Sequence, residues 1–99
     1  MFFDNNFCDW LIENRISCSL RSISEVKQEL IQKGIELELI RERINIIYTQ
    51  ERENEVFDII FNKRFEKFTN PDKKTKLKIF NYFQRRGFGY TLIKEQINI

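Results

Sequence analysis

Val26-Lys-Gln-Glu-Leu30-Ile-Gln-Lys-Gly34-Ile-Glu-Leu-Glu-Leu39-Ile40-Arg-Glu42-Arg-Ile44-Asn45 falls in register with Ile79-Phe-Asn-Tyr-Phe83-Gln-Arg-Arg-Gly87-Phe-Gly-Tyr-Thr-Leu92-Ile93-Lys-Glu95-Gln-Ile97-Asn98 when the sequence is slid against itself by 53 positions. Gly, Leu, Ile, Glu, Ile and Asn recur at matching places, and Val26/Ile79, Leu30/Phe83, Ile35/Phe88 and Leu37/Tyr90 agree in apolar character. Two unrelated helices do not readily share such a pattern, so the chain contains an internal duplication.

Each copy reads as a helix with an apolar face at Val26 and Leu30, or Ile79, Phe80 and Phe83, then a Gly, then a second helix with apolar residues at Leu37, Ile40, Ile44 and Ile47. Spacings of three and four are helical. Gly34 and Gly87 follow the basic residues Lys33 and Arg86, where a left-handed residue closes a helix and only Gly avoids the Cβ penalty. They are turn glycines rather than phosphate-binding ones. Ser22-Ile-Ser-Glu25 fits a capping box, and Asn70-Pro71 supplies a cap followed by a proline at the first helical position. A third helix precedes each pair, with Phe7, Trp10 and Leu11 in one copy and Phe57, Ile60 and Phe61 in the other. That offset is 50, which puts a linker three residues longer near Phe68–Pro71. The expected helices are 4–16, 22–33, 36–49, 52–68, 72–86 and 89–98. The expected fold is all-α, two tandem three-helix repeats (1–50 and 51–99) in an elongated array.

Three Gly and one Pro in 99 residues leave too few chain reversals for a sandwich or barrel. The chain has no Ala, so periodicity carries the helical reading more than propensity does. Ten Phe and 41% hydrophobic residues supply a core without metal or disulfide staples. With no His, imidazole chemistry is excluded. Cys8 and Cys18 are read as reduced, partly buried thiols, with a disulfide as the alternative. No stretch approaches the roughly 20 apolar residues of a membrane span, and the first ten residues lack a basic region, so a cytoplasmic location is expected.

Residues 1–60 carry a net charge of −5 and residues 61–99 a net of +7. Lys74, Lys78, Asn81 and Arg85 fall on one stripe opposite Ile79, Phe80 and Phe83, which predicts a solvent-facing basic ridge. Lys73 and Arg86 complete the candidate partner-binding set. The first-copy counterparts of the stripe are Arg21, Glu25, Gln28 and Gln32, so the repeat itself does not demand the ridge. It reads either as an ordinary solvated face or as a surface for an anionic partner, a phosphate backbone or an acidic protein.

Glu36, Glu38 and Glu42, with Glu51, Glu53 and Glu55 following, lack the Asn/Asp-rich turn and Gly of a calcium loop. Glu36 and Glu38 read as helix-start acids favoured by the dipole. They also oppose groove insertion by residues 36–47, which a helix-turn-helix reading would require. In the second copy Gly89, Tyr90, Thr91 and Lys94 offer few base-reading groups. No nucleophile elbow, Walker loop, dinucleotide glycine pattern or Cys–His pair occurs. No catalysis, cofactor, metal or small-molecule substrate is expected.

Ser24-Glu25-Val26-Lys27-Gln28-Glu29-Leu30-Ile31-Gln32-Lys33-Gly34-Ile35 and Lys78-Ile79-Phe80-Asn81-Tyr82-Phe83-Gln84-Arg85-Arg86-Gly87-Phe88 resemble the second and third repeats of the RecX family of recombinase regulators. Asp4-Asn-Asn-Phe7 resembles the stretch that joins that family's first and second repeats. The resemblance implies a protein that binds the RecA filament on single-stranded DNA and damps its ATP hydrolysis, strand exchange and co-protease activity, without catalysing a reaction. It places the chain in homologous recombination, DNA repair and the SOS response. An elongated array with opposite charge at its ends suits bridging of filament protomers. Two other readings stay open: a small helical module binding DNA non-specifically, and an inactive repeat fragment with an apolar end around Phe2, Phe3, Phe7 and Trp10.

Overall fold

Six helices, α1 (Asn5–Ser17), α2 (Ile23–Gln32), α3 (Leu37–Ile47), α4 (Gln50–Phe65), α5 (Lys73–Arg85) and α6 (Tyr90–Ile97), are found among the residues that the computed structural model describes, 5–65 and 71–97. No strand occurs among the described residues, and the fold is all-α as expected. Phe2, Phe3, Asp4, Phe68, Asn70 and Asn98, on which parts of the sequence reading rest, lie outside them.

The two glycines of the repeat close their helices identically. Gly34 has φ +85° and Gly87 φ +89°. The Gly34 amide donates to the Ile31 carbonyl (2.9 Å) and the Ile35 amide to that of Leu30 (3.2 Å). Gly87 and Phe88 donate likewise to Gln84 (3.0 Å) and Phe83 (3.1 Å). Both are Schellman turns that satisfy the orphan carbonyls of the helix end. The helices that follow open alike, with Ile40 donating to Glu36 and Ile93 to Gly89. The duplication is therefore one of backbone geometry as well as of residues.

Helix starts differ between the copies. The Ser22 hydroxyl accepts the Glu25 amide at 3.1 Å while the Glu25 carboxylate accepts the Ser22 amide at 3.0 Å, the reciprocal pair of a capping box. In the second copy Pro71 is not the first helical residue. Asp72 is the cap, accepting the Thr75 amide at 2.8 Å, and Pro71 lies before it. A carboxylate that satisfies an orphan amide outcompetes a proline that merely tolerates the position. Thr75, the repeat counterpart of Ser22, is thereby drawn inside the helix. α5 begins 50 positions after α2 yet ends 53 after it, so α5 is three residues longer than α2 at its amino end.

α1, α2 and α3 pack on one another, and α5 packs on α6. Val26/Ile79, Leu30/Phe83, Ile35/Phe88, Ile40/Ile93 and Ile44/Ile97 are buried as pairs 53 apart. α4 joins the second set through Phe57, whose ring stacks on Phe83 with centroids 3.9 Å apart and meets Phe88 edge-on at 5.7 Å. Two apolar assignments are corrected. α1 buries Cys8, Leu11, Ile12 and Ile16, so its face is rotated from the one expected and Trp10 is 61% exposed. Leu37 and Tyr90, the first residues of α3 and α6, are also exposed. At the first turn Cβ tilts back toward the helix amino end, beyond the reach of the packed partner. Neither cysteine forms a disulfide; Cys8 is buried and Cys18 exposed rather than half-buried.

The molecule measures 50 × 19 × 18 Å with a radius of gyration of 15.0 Å, against about 13 Å for a compact chain of this length. It is elongated, and about two helix diameters wide. What joins its halves is a meeting of helix ends. The buried Ser22 hydroxyl, already capping α2, donates to the Arg86 carbonyl at the end of α5 (2.7 Å). The Arg86 guanidinium returns across the joint to the Leu20 carbonyl (2.8 Å) and to Glu25 (3.4 Å). Leu20 holds φ +51°, a left-handed conformation costly for a branched residue. Glu53 of α4 is buried beside the same helix start and accepts the Ile23 amide at 2.9 Å. Arg52 adds an ion pair to Glu13 of α1 at 2.8 Å.

Gly34 and Gly87 share a backbone conformation but not an environment. A Cβ on Gly34 would meet nothing within 4 Å, whereas one on Gly87 would lie 3.0 Å from Ser22 Oγ and from Ser24 Cβ. Gly34→Ala should therefore cost only the left-handed strain, roughly 1–2 kcal/mol. Gly87→Ala should cost clearly more, by urea denaturation, because it also pushes the halves apart. Equal losses would show that the joint contributes nothing. Burial raises the Glu53 pKa more than its hydrogen bonds from Ile23 and Gln50 lower it. The folded chain thus holds that proton more tightly than the unfolded one. Its contribution to stability is fully present below the unfolded carboxyl value and is lost as pH rises through the raised one. Glu53→Gln, which keeps an acceptor for Ile23, should gain in melting temperature relative to the parent as pH rises from acid to neutral. A pH-independent difference would contradict this.

Candidate partner-binding site

α5 carries Lys73, Lys74, Lys78, Asn81 and Arg85 on exposed positions, with Ile79 and Phe83 buried on the other side. Lys73 and Lys74 stand in the first turn, where the helix dipole disfavours cations and where no acid accompanies them. Asp72 offsets this as cap, and its carboxyl is held below the usual range, chiefly by the Thr75 amide and to a smaller extent by Lys78. Packing does not account for these lysines, since none of the three is buried. Leu77, 57% exposed, flanks the stripe and adds an apolar spot to a cationic surface.

Arg86 stands apart from the ridge with which the sequence groups it. Its guanidinium is half-buried, donates to Leu20 O, Glu25 and the Tyr82 hydroxyl, and lies 6.0 Å from the Tyr82 ring centre. It acts as a strut between the halves. Arg85, its neighbour, is exposed and among the described residues makes a long contact to the Asn81 carbonyl (3.4 Å).

The first-copy stripe, Arg21, Glu25, Gln28 and Gln32, is brought to the end of this ridge. All four line a cleft of about 530 Å³ between α2 and the end of α5, together with Arg85 and Arg86. Glu29 lies in the same wall and is gripped by Arg15 at 2.7 and 2.8 Å, which holds its carboxyl below the usual range and raises the guanidinium. Arg21 is placed by its backbone: its amide donates to the Arg15 carbonyl (3.2 Å), and its carbonyl accepts the hydroxyl of buried Tyr48. Burial pushes the Tyr48 phenol well above its ordinary value, so it stays a hydrogen-bond donor. In the sequence Arg21 belongs to the first-copy stripe that contrasts with the ridge, and nothing there marks it as a partner-binding residue. Its sole signal there is that it is the one cation of the first-copy stripe.

Among the described residues no three His, Cys, Asp or Glu side chains gather as a metal site would need, and no helix is long and apolar enough to cross a membrane. Arg86→Gln should lower stability by about 1–3 kcal/mol, the cost of leaving part-buried acceptors short of a charged donor. Arg85→Gln and Lys74→Gln should stay within about 0.5 kcal/mol of the parent. Thermal unfolding of the three variants checks this, and comparable losses at 85 and 86 would erase the distinction between ridge and strut.

Two curated proteins are similar to this chain over most of its length. The chain is 28% identical over 91 residues to the Regulatory protein RecX of Lactococcus lactis subsp. cremoris, across 90% of this chain and 34% of that protein. It is also 28% identical over 96 residues to the Regulatory protein RecX of Caldanaerobacter subterraneus subsp. tengcongensis, across 97% of this chain and 46% of that one. No family model and no solved structure matches. The chain thus spans a third to a half of the length of these curated relatives, and over nearly all of its own length it is similar to RecX regulatory proteins, as its duplicated helices lead one to expect.

Proposed function

We propose that this chain is a non-catalytic regulator that binds the RecA filament on single-stranded DNA and inhibits its ATPase, strand-exchange and co-protease activities. The observation that carries the reading is the 28% identity to two proteins named as RecX regulatory proteins over 90 and 97% of the chain. The shape supports it, because a rod 50 Å long reaches past the single protein surface a compact domain of this length would cover. Charge supports it as well. The exposed Lys73, Lys74, Lys78 and Arg85 give one end of the rod a cationic face with Leu77 beside it. Long-range attraction to an acidic surface, completed by an apolar contact, is how charged protein interfaces gain both rate and hold. Under this reading the ridge meets acidic recombinase surface or adjacent DNA phosphate, and the domains 1–50 and 51–99 act as one bridging unit in the cytoplasm.

Titrating the chain into RecA filaments on single-stranded DNA should inhibit ATP hydrolysis, and should do so below the concentration needed to coat naked DNA. The variant Lys74→Glu/Lys78→Glu/Arg85→Glu should need at least about tenfold more protein, equivalent to about 1.4 kcal/mol. Full inhibition by that variant would sink the ridge assignment. Absence of inhibition by the parent would sink the regulator itself.

A further inference from the structure

The cleft between the halves differs in kind from the ridge that leads into it. Its lining holds no apolar side chain. Small-molecule and cofactor sites of this volume are mostly apolar, and protein interfaces have an apolar centre. A wall of polar and charged side chains with arginines in excess of carboxylates is the character of a surface that holds nucleic-acid backbone.

The charges of the cleft are not equal in availability. Arg15 is spent on Glu29, and Arg86 on Glu25 and the Leu20 carbonyl. Both carboxylates are thereby neutralised within the wall. Arg21 and Arg85 are exposed and form no ion pair among the described residues, although Arg21 adds a longer-range attraction to Glu29. Arg21 comes from the segment before α2, with its peptide pinned by Arg15 and Tyr48. Arg85 closes α5, where the dipole favours a cation. Ser19, Ser24, Gln28 and Gln32 add hydroxyl and amide donors around them.

We propose that this cleft holds a phosphodiester group of a single nucleic-acid strand, gripped by Arg21 from one half and Arg85 from the other. The strand continues along α5 toward Lys78 and Lys74, so the cleft fixes a point of a path that the ridge extends. The proposal rests on the regulatory reading only for the source of the polyanion, a single DNA strand. The site itself is a property of the joint. Because its two arginines come from opposite sides of that joint, an occupied cleft also clamps the halves together.

The test is binding of a short labelled oligothymidylate, without recombinase, as a function of salt. Arg21→Gln and Arg85→Gln should each weaken binding several-fold. Each should make the slope of log K against log[salt] shallower by about 0.7, the value for one phosphate contact on a single strand. The double variant should show nearly the same slope as either single one, because both guanidiniums serve one phosphate. Arg41→Gln, exposed on α3 outside the cleft, removes the same charge and should leave the slope unchanged. Failure of the parent to bind, unchanged slopes in the single variants, or additive loss in the double variant would each overturn the proposal. So would variants that bind oligothymidylate like the parent yet lose inhibition of the filament, which would assign the cleft to a protein partner. If the oligothymidylate results hold and the parent fails to inhibit the filament, the site stands and the regulatory reading falls.

Discussion

The structure hangs on the contact between the start of α2 and the end of α5. A helix amino end presents unsatisfied amides and partial positive charge, and a carboxy end presents carbonyls and partial negative charge. Here one side chain serves both. Ser22 takes the Glu25 amide with its oxygen and gives its hydroxyl proton to the Arg86 carbonyl. Arg86 then spans the joint to Glu25 and Leu20, and Glu53 takes the next free amide of α2 at Ile23. A buried polar cluster of this kind is favourable only when complete, since each orphaned group costs about 1–3 kcal/mol. No buried side-chain nitrogen or oxygen among the described residues lacks a partner.

That completeness has a functional consequence. By pairing Arg86 with Glu25 and Arg15 with Glu29, the joint leaves Arg21 and Arg85 as the cleft's arginines outside any ion pair among the described residues. It also joins the first-copy stripe to the end of the basic one. The uneven charge of the chain, −5 before residue 61 and +7 from there on, places Lys73, Lys74, Lys76, Lys78 and Arg85 along α5. On the proposal made above, such a surface would attract anions from a distance and order them near the joint.

The periodic features of the fold were legible because each depends on near neighbours in the chain. The turn glycines, the Ser22 capping box and the buried pairs Val26/Ile79, Leu30/Phe83 and Ile40/Ile93 all follow from spacing and from backbone rules. Misreadings arose where two local signals competed or where an element lacked a repeat to anchor it. Asp72 displaced Pro71 as the start of α5 because its carboxylate satisfies an amide. Matching Phe7, Trp10 and Leu11 to Phe57, Ile60 and Phe61 predicts one buried face for α1, whereas the structure buries Cys8, Leu11, Ile12 and Ile16. An aromatic residue carries no information about direction until its helix is packed.

The basic ridge was readable in the candidate site because one helix presents it. Arg86 was not separable from Arg85 by sequence, since adjacent residues on a helix point about 100° apart and only the neighbouring half decides which of them meets a partner. The cleft was invisible for the same reason. Arg21 and Arg85 are 64 residues apart, and no local rule links them. The sequence by itself determined the helices, their turns and the duplication, all of which are short-range consequences of hydrogen-bonding and apolar periodicity. Only the tertiary structure decided which charges are consumed in holding the halves together and which remain for a partner, because pairing a charge requires a counter-charge within a few ångströms in space.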